Sequence, residues 1–477
     1  MRENRRWFIA AAVGLLLALS IPTYLLAETP ELWGNLKPGP YATGFTTIET
    51  YDYSRVFRAK HNYFGELQEG ERARQVQVCV WYPAEKSEDA VTMVYSEYNF
   101  PSPADGAFSP FVGQLANREV QFLYGLFRGA GAFVQDLLNS EMAAVRDAPH
   151  TDGTFPFILY LPGGTHHYSD NAILCEYLAS YGYIVAATHH FGDKDIQATT
   201  DLNGLANVLR DGEFTFGLMH DFPGVDRDNV GVMGYSFGGL ASVLFQMRNS
   251  DVDAIVSLDG GITNGNYNDL IRQAPGYNPQ LVQASMLLMY VMDESTSMTM
   301  VDSMVYASRY YLPIDGYTHA DFTQNYFISG WIADTTGPSF EVRQEHYGNI
   351  CRQALSFFNL SLKGDESAKE ALAGASFAAA LTPPPSAAEF IGMIRAGQID
   401  TAAAIYEQLR KDNPALTLFN EATFNALGYQ LLGAGRAAQS VIVFRMNAET
   451  YPNSANVWDS YADGCMGTGD TATAITC

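Results

Sequence analysis

The chain has 477 residues, a formal net charge of −24 at pH 7 and a hydrophobic content of 47%, which is enough for a large core and more than one domain. Nucleic-acid phosphates and anionic lipid surfaces both require a basic face on the protein, so the acidic composition argues against either as a partner.

The first predicted element is an export signal. Residues 1–6 contain three arginines, and the apolar run from Trp7 to Ala27 follows them, as in the n-region and h-region of a secretory signal peptide. We therefore expect residues 1–27 to direct export to the periplasm or the exterior. The run is also long enough to cross a bilayer, which takes about 20 apolar residues. The alternative is therefore that residues 7–27 anchor the protein in a membrane.

Residues 28–365 are predicted to form one domain. Its entry segment, residues 28–60, is rich in Pro, Gly and aromatic residues and is predicted to be irregular, and strand and helix patterns alternate after it. The predicted strands are Val76–Tyr82, Phe157–Leu161, Ile184–Thr188, Val230–Gly234, Ala254–Leu258 and Met286–Val291, and the predicted helices are Ala172–Tyr181, Asp201–Arg210, Leu240–Met247 and His346–Leu362. The alternation predicts an α/β domain with a doubly wound, mostly parallel sheet.

An insertion separates the first two predicted strands. Residues 105–150 carry apolar side chains at helical spacing, first around Leu123 and then around Leu137. This pattern predicts a pair of helices that either caps a pocket or shields the edge of the sheet.

The most informative motif is Gly234-Tyr235-Ser236-Phe237-Gly238. An apolar strand precedes it and a Leu/Ala-rich helix follows, so Ser236 lies at the apex of a strand–turn–helix. Such a G-x-S-x-G turn exposes a nucleophilic serine hydroxyl above the edge of the sheet. We interpret Ser236 as the nucleophile of a hydrolase; a glycine-rich turn that only reverses the chain is the alternative.

A nucleophilic serine needs a base and an orienting acid, which follow it in the chain order Ser, Asp, His in α/β-hydrolases. His319 lies in a polar, glycine-bearing loop, expected directly after the predicted strand Met286–Val291, and is the predicted base. His346 opens a helix and is interpreted as a solvated helical residue. Two carboxylates can serve as the acid. Asp259 and Asp293 both end apolar strands, where sites in α/β sheets are built, and the residues alone leave the choice open.

Several segments together resemble the platelet-activating-factor acetylhydrolase family, which belongs to the dienelactone-hydrolase-like α/β-hydrolases. They are Val76–Ala84, Ile158–Gly164, Leu178–Ala187, the Ser236 turn, Leu258–Gly260 and Thr318–Phe322. The resemblance covers roughly residues 40–365 and implies that Asp259 is the acid, because the family acid follows the strand after the nucleophile. It also implies a short acyl chain, with a phospholipid-like ester as one candidate substrate. The sequence departs at Leu161-Pro162-Gly163, where members often have His before Gly.

An oxyanion hole needs two backbone N–H groups aimed at the same point. One is expected from Phe237, the residue after the nucleophile, and the other from the loop after the strand Phe157–Leu161. Matching that loop to the family places Gly164 there. The alternative is that Gly164 belongs to a simple tight turn.

No cofactor or metal is expected. The pairs His166-His167 and His189-His190 lack zinc-type spacing, and neighbours on an extended segment point to opposite sides. They are interpreted as structural residues or residues at the rim of the pocket. The five cysteines are widely spaced and do not form a disulfide framework.

Residues 366–385 are predicted to be a linker that ends in Pro383-Pro384-Pro385. Helical patterns led by Gly397, Gly435 and Gly469 follow, and residues 386–477 look like tetratricopeptide repeats, the last one incomplete at Cys477. We expect these repeats to be a separate module that binds another protein.

The combined expectation is an exported serine hydrolase that cleaves carboxylic esters. The alternatives are a binding or scaffold protein that uses the repeats beside an inactive hydrolase fold, and a peptidase or thioesterase with the same three catalytic residues.

Overall fold

The computed structural model describes residues 29–55, 73–87, 89–99, 109–126, 131–164, 166–193, 196–329, 338–381, 383–412 and 417–477. The predicted export signal lies outside these ranges. The chain divides into two compact units, Met1–Ala380 and Leu381–Cys477. Within the described ranges, no helix has the length and apolar character needed to cross a membrane.

The first unit is built on one ten-stranded sheet. Its strands are β1 (Ala42–Asp52), β2 (Arg74–Ala84), β3 (Ala144–Arg146), β4 (Phe155–Leu161), β5 (Ile184–Thr188), β6 (Val225–Tyr235), β7 (Ala254–Leu258), β8 (Ser285–Tyr290), β9 (Arg309–Pro313) and β10 (Ser376–Ala378). Their order across the sheet is β10-β9-β8-β7-β6-β4-β5-β2-β1-β3.

Six neighbouring strands, from β5 through β4 to β9, run parallel, while β2 is antiparallel to both β5 and β1. The chain winds outward in opposite directions from the β4–β6 pair. The carboxyl ends of these two strands therefore form the switch point at which open α/β sheets place their sites. The predicted α/β-hydrolase fold class, a doubly wound and mostly parallel sheet, is confirmed.

Helices connect and cover the strands. Those of the first unit are α1 (Ser96–Asn99), α2 (Ser109–Leu126), α3 (Gly131–Leu138), α4 (Ala172–Ser180), α5 (Leu202–Met219), α6 (Phe237–Arg248), α7 (Asn268–Arg272), α8 (Thr299–Asp302), α9 (Gln324–Ser329) and α10 (Phe340–Lys363). The core of one sheet face contains side chains of α4 and α10, and that of the other face contains side chains of α5 and α6. Because both faces are covered, every residue of β4, β5 and β7 is buried.

Three strands contradict or extend the sequence-based expectations. The entry segment predicted to be irregular contains the eleven-residue β1, which pairs with β2 along its whole length. The loop of His319 was expected to follow β8 directly. In the structure, β9 lies between them along the chain, and the loop follows β9. Strand β10 pairs with β9, so part of the predicted linker belongs to the sheet. Half-buried edge strands lack the apolar run by which the central strands were found.

The predicted helical insertion is present as α2 and α3. Val112 and Leu115 of α2 pack against Phe191, and Arg118 Nη1 donates hydrogen bonds to the carbonyl oxygens of His190 and Ile196. Residues 190–193 and Ile196 follow β5 at the carboxyl edge of the sheet. Helix α2 therefore packs at the edge where the strands end, which favours the capping interpretation.

The second unit is helical. It consists of α11 (Ala387–Arg395), α12 (Ile399–Asp412), α13 (Glu421–Gly433), α14 (Ala437–Thr450), α15 (Ala455–Thr468) and α16 (Thr471–Thr476). Its core includes Phe390, Tyr406, Phe424 and Val443. Short turns through Gly397, Gly435 and Gly469, all at positive φ, join the helices in pairs, which agrees with the predicted helix–turn–helix units.

Candidate active site

Ser236 occupies a strained turn between β6 and α6. Its φ and ψ are 53° and −119°, a conformation that a non-glycine residue keeps only where the surroundings enforce it. The backbone N–H of Ser236 donates to Leu258, and its carbonyl accepts from Gly239 and Gly261. A Cβ at Gly238 would lie 2.0 Å from the carbonyl oxygen of Leu161, so only glycine permits this approach. The turn thus holds the Ser236 hydroxyl clear of the sheet.

The hydroxyl of Ser236 begins a chain of hydrogen bonds. Its Oγ lies 2.9 Å from Nε2 of His319, and Nδ1 of His319 lies 2.6 Å from Oδ2 of Asp259. The other carboxylate oxygen, Oδ1, accepts the backbone N–H of Val291 at 3.0 Å. With Nδ1–H donating to Asp259, Nε2 of His319 is free to accept the serine proton. The imidazole is half exposed, whereas Asp259 is 14% exposed, so the base can reach a substrate and the acid is shielded.

Asp293 and His346, the alternative candidates, take no part in this chain of hydrogen bonds. Oδ1 of Asp293 accepts hydrogen bonds from the N–H and the hydroxyl of Ser295 at 2.8 and 2.7 Å, within its own turn. His346 stacks on Tyr317 with ring centroids 3.9 Å apart, and its Nδ1 lies 3.4 Å from Asp321. The carboxylate in contact with His319 is therefore Asp259.

Gly164 lies beside Phe237, as an oxyanion hole would require. A Cβ built on Gly164 would be 3.4 Å from the Cβ of Phe237, so the loop after β4 and the start of α6 are in contact. The neighbouring carbonyl of Gly163 accepts from the backbone N–H of His166 at 3.2 Å and contacts Nδ1 of His190 at 3.0 Å. These contacts fix the loop that carries Gly164.

Sequence reasoning missed a residue that holds His319. The ring of Tyr235 stacks on the His319 imidazole at 4.9 Å between centroids, and its hydroxyl donates to the His319 carbonyl oxygen at 3.2 Å. On the other side, the loop is closed by Asp321, whose Oδ2 accepts the N–H and the hydroxyl of Thr318. No local signal marks Tyr235, because its role depends on a residue 84 positions away.

The two histidine pairs differ: His166 and His167 are separated in exposure, whereas His189 and His190 are both buried. His166 is partly exposed and contacts Oδ2 of Asp170 through Nδ1 at 2.5 Å, whereas His167 is fully buried. Burial opposes protonation of His166, but the hydrogen bond and the charge of Asp170 outweigh it and raise its pKa. Its ring lies 5.1 Å from that of Tyr235, which places His166 next to the candidate site.

Three buried histidines are expected to make the stability of the fold depend on pH. Burial lowers the pKa of His189 to about 3 and that of His190 to about 4, and burial together with the neighbouring His189 lowers the pKa of His167. Below the unfolded pKa of about 6.5, the unfolded chain binds protons that the folded chain does not. The contribution of these three histidines to stability therefore falls as the pH drops below about 6.5 towards these lower values, by up to about 1.4 kcal/mol per pH unit for each histidine, whereas the raised pKa of His166 acts in the opposite direction.

Urea unfolding at pH 7.5, 6.5 and 5.5 measures this dependence. His189→Gln keeps a side chain able to bond Gln77, which His189 contacts at 3.0 Å. It should reduce the slope of unfolding free energy against pH by the contribution of one histidine. His220→Gln, at an imidazole that is only partly buried, is the matched control and should leave the slope as it is. Equal slopes for His189→Gln and the parent protein would contradict the assignment.

A cavity of about 310 Å³ opens at the Ser236 hydroxyl. Its walls come from the loop after β7, which contributes Thr263, Asn264 and Tyr267, and from the loop after β8, which contributes Asp293, Ser295 and Thr296. The volume is at the lower end of the range of about 300–1,000 Å³ for small-molecule sites. Of these six residues, only Asp293 was identified from the sequence, as a candidate acid; no motif marks the others.

Other reactive groups lie apart from this site. Cys79, Cys175, Cys351 and Cys465 are buried free thiols, and burial raises the pKa of the Cys79 thiol to about 12, which keeps it protonated and unreactive. Across the described ranges, no three His, Cys, Asp or Glu side chains are arranged to hold a metal ion.

No protein-family model matches the sequence, and no curated protein matches it. Among solved structures, the chain is similar to the ferulic acid esterase from Streptomyces cinnamoneus, with 20% sequence identity and a TM-score of 0.49 over 72% of this chain and 98% of that chain. The resemblance to platelet-activating-factor acetylhydrolases stays a prediction.

Proposed function

We propose that the protein is a serine hydrolase that cleaves carboxylic esters through an acyl-enzyme. The observation that carries the proposal is the continuous chain of hydrogen bonds from Ser236 through His319 to Asp259, which starts at a strained serine between a strand and a helix. A nucleophile, its base and an orienting carboxylate within hydrogen-bond reach are the parts that acyl transfer needs.

In the proposed reaction, Oγ of Ser236 attacks the acyl carbon while Nε2 of His319 takes the serine proton. The carbonyl oxygen becomes an oxyanion, which the N–H groups of Phe237 and Gly164 stabilise. His319 then returns the proton to the leaving alcohol. In the second half of the reaction, water attacks the acyl-enzyme, His319 takes the proton of the water and passes it to Oγ of Ser236, and the carboxylic acid is released. Asp259 keeps the imidazole in the required tautomer and stabilises the positive charge that forms on it.

The position of the expected oxyanion donors also supports an acyl substrate. The N–H of Phe237 is in the first turn of α6, where backbone donors lack intrahelical partners, and the positive end of the helix dipole favours a developing negative charge. Loss of one such donor typically costs about 10²–10³ in kcat. A tetrahedral oxyanion, as formed from an ester, is the species that this arrangement would stabilise.

Two further expectations extend this proposal. We infer export from the Arg-rich start and apolar run of residues 1–27. We also infer that the paired helices of Leu381–Cys477 serve to bind another protein, because stacked helix pairs present extended surfaces. Both are independent of the chemistry at Ser236.

Hydrolysis of p-nitrophenyl esters with acyl chains of two to ten carbons tests the proposed function. We expect turnover with the shorter chains and covalent labelling of the same protein by a fluorophosphonate, with the labelled peptide containing Ser236. The ester product is measured by absorbance and the label by mass spectrometry. Absence of both turnover and labelling in folded protein would contradict a serine hydrolase.

A further inference from the structure

The cavity beside Ser236 has polar walls. Asn264, Asp293, Ser295 and Thr296 place amide, carboxylate and hydroxyl groups around it. Pockets for hydrocarbon chains are lined mostly by apolar and aromatic side chains, whereas among the described lining residues such surface comes from Tyr267 and Val291, beside the imidazole of His319. The group that enters this cavity is therefore polar.

Three polar atoms of the walls are available to a ligand. Asn264 uses its Oδ1 to accept the N–H of Asn266, and Asp293 uses its Oδ1 within its own turn. Among the described residues, Nδ2 of Asn264, Oδ2 of Asp293 and the hydroxyl of Tyr267 have no hydrogen-bond partner. They comprise a donor, an acceptor and a group that can do both, which matches hydroxyl groups on a ligand.

The charge of the walls excludes anions. Both Asp259 and Asp293 line the cavity, and the described residues of its lining include no Lys or Arg. The hydrogen bonds from Ser295 lower the pKa of Asp293, so its carboxylate is ionised at neutral pH. A phosphate offers only acceptor oxygens and negative charge, and it would meet like charge here. The two carboxylates would attract a quaternary ammonium group, but such a group has no donor or acceptor for Asn264, Tyr267 or Asp293, whereas hydroxyl groups can pair with all three.

The position of the cavity shows which half of an ester it would hold. Ser236, Asp259 and His319 line it, whereas Phe237 and Gly164, the expected oxyanion donors, do not. The leaving oxygen receives its proton from Nε2 of His319, so the alcohol half must lie on the imidazole side of the nucleophile. The polar cavity is on that side.

We propose that the cavity formed by Asn264, Tyr267 and Asp293 binds the alcohol half of the substrate, and that this alcohol is small, neutral and carries several hydroxyl groups. The inference rests on the proposed ester hydrolysis and specifies its substrate class. The proposed substrate is therefore an ester of an uncharged polyhydroxy alcohol and not the phospholipid-like ester that the resemblance implied.

Four butyrate esters that share the acyl group test this inference: monobutyrylglycerol, propyl butyrate, butyrylcholine and butyrylglycerol phosphate. We expect kcat/KM for monobutyrylglycerol to exceed that for propyl butyrate by about tenfold, the value of one or two hydrogen bonds to the added hydroxyls. The choline and phosphate esters should fall below monobutyrylglycerol. If propyl butyrate, butyrylcholine or butyrylglycerol phosphate equals or exceeds monobutyrylglycerol, the inference is overturned.

Two variants connect the preference to the walls. Tyr267→Phe removes a hydroxyl and keeps the ring, so it should lower the ratio of monobutyrylglycerol to propyl butyrate by about threefold. Asp293→Asn retains the shape of the turn and removes a charge, so it should raise the relative rate with the phosphate ester. Glu294→Gln removes the adjacent exposed carboxylate, which does not line the cavity, and should change neither ratio. Ratios that stay constant in both cavity variants would overturn the inference.

The same assay separates this inference from the proposed function. If p-nitrophenyl butyrate is hydrolysed and Ser236 is labelled, a failure among the four esters overturns only the polyhydroxy alcohol. If folded protein neither hydrolyses p-nitrophenyl butyrate nor reacts with the fluorophosphonate, both proposals are wrong.

Discussion

Asp259→Asn is expected to lower kcat by about 10⁴, the loss typical when the carboxylate that orients a catalytic histidine becomes an amide. The Asn side chain has nearly the same shape and can still accept the N–H of Val291, so the fold should persist. Facing His319, however, an amide N–H would favour the tautomer with the proton on Nε2, which cannot accept the serine proton. Hydrolysis of p-nitrophenyl acetate measures the loss, and circular dichroism checks the fold.

Asp293→Asn is the comparison that makes the test specific. Its carboxylate bonds Ser295 within its own turn and not His319, so kcat with p-nitrophenyl acetate should fall far less than for Asp259→Asn. Glu294→Gln, in the same loop, is the control for a simple loss of negative charge near the site. If the ranking of Asp259→Asn and Asp293→Asn were reversed, the orienting acid would belong to the loop after β8.

Ser236→Ala is expected to abolish fluorophosphonate labelling and to lower kcat by about 10⁶, as loss of the serine does in another hydrolase with these three catalytic groups. Alanine removes only the hydroxyl, and the hydrogen bonds that hold the turn are made by the backbone of residue 236. The thermal midpoint should therefore stay close to that of the parent protein. Labelling is measured on intact protein by mass spectrometry.

Ser250→Ala is the matched control, since Ser250 is an exposed serine just beyond the helix that Ser236 precedes. This variant should be labelled to the same extent as the parent protein. Labelling that persists in Ser236→Ala would show that another residue is the nucleophile and would remove the main support for the proposed mechanism.

The central strands and the nucleophile turn were predictable because their signals are local. The predicted Ile184–Thr188 and Ala254–Leu258 agree with β5 and β7 residue for residue, since strands buried on both faces appear as short apolar runs. Helix α5 was predicted to end at Arg210 but continues to Met219. Propensity and pattern locate elements more reliably than their ends.

The edges of the sheet were less predictable. Strands β1 and β9 contain partly buried residues at most positions, so apolar and polar side chains mix along them. Their conformation is stabilised by pairing with β2 and β8, partners that lie outside the short window in which a local pattern is read. A local pattern does not contain that information.

The strand–turn–helix of Ser236 and the availability of His319 in a downstream loop could be predicted before folding, because both features depend on neighbouring residues. The folded chain was needed to establish that His319 contacts Asp259 and not Asp293, that Tyr235 stacks on the imidazole, and that the cavity beside Ser236 is polar. Each of these depends on which loops the parallel strands bring to the same edge of the sheet. Since Asp259 and Asp293 both end strands there, only the relative placement of β7, β8 and the loop after β9 could distinguish them.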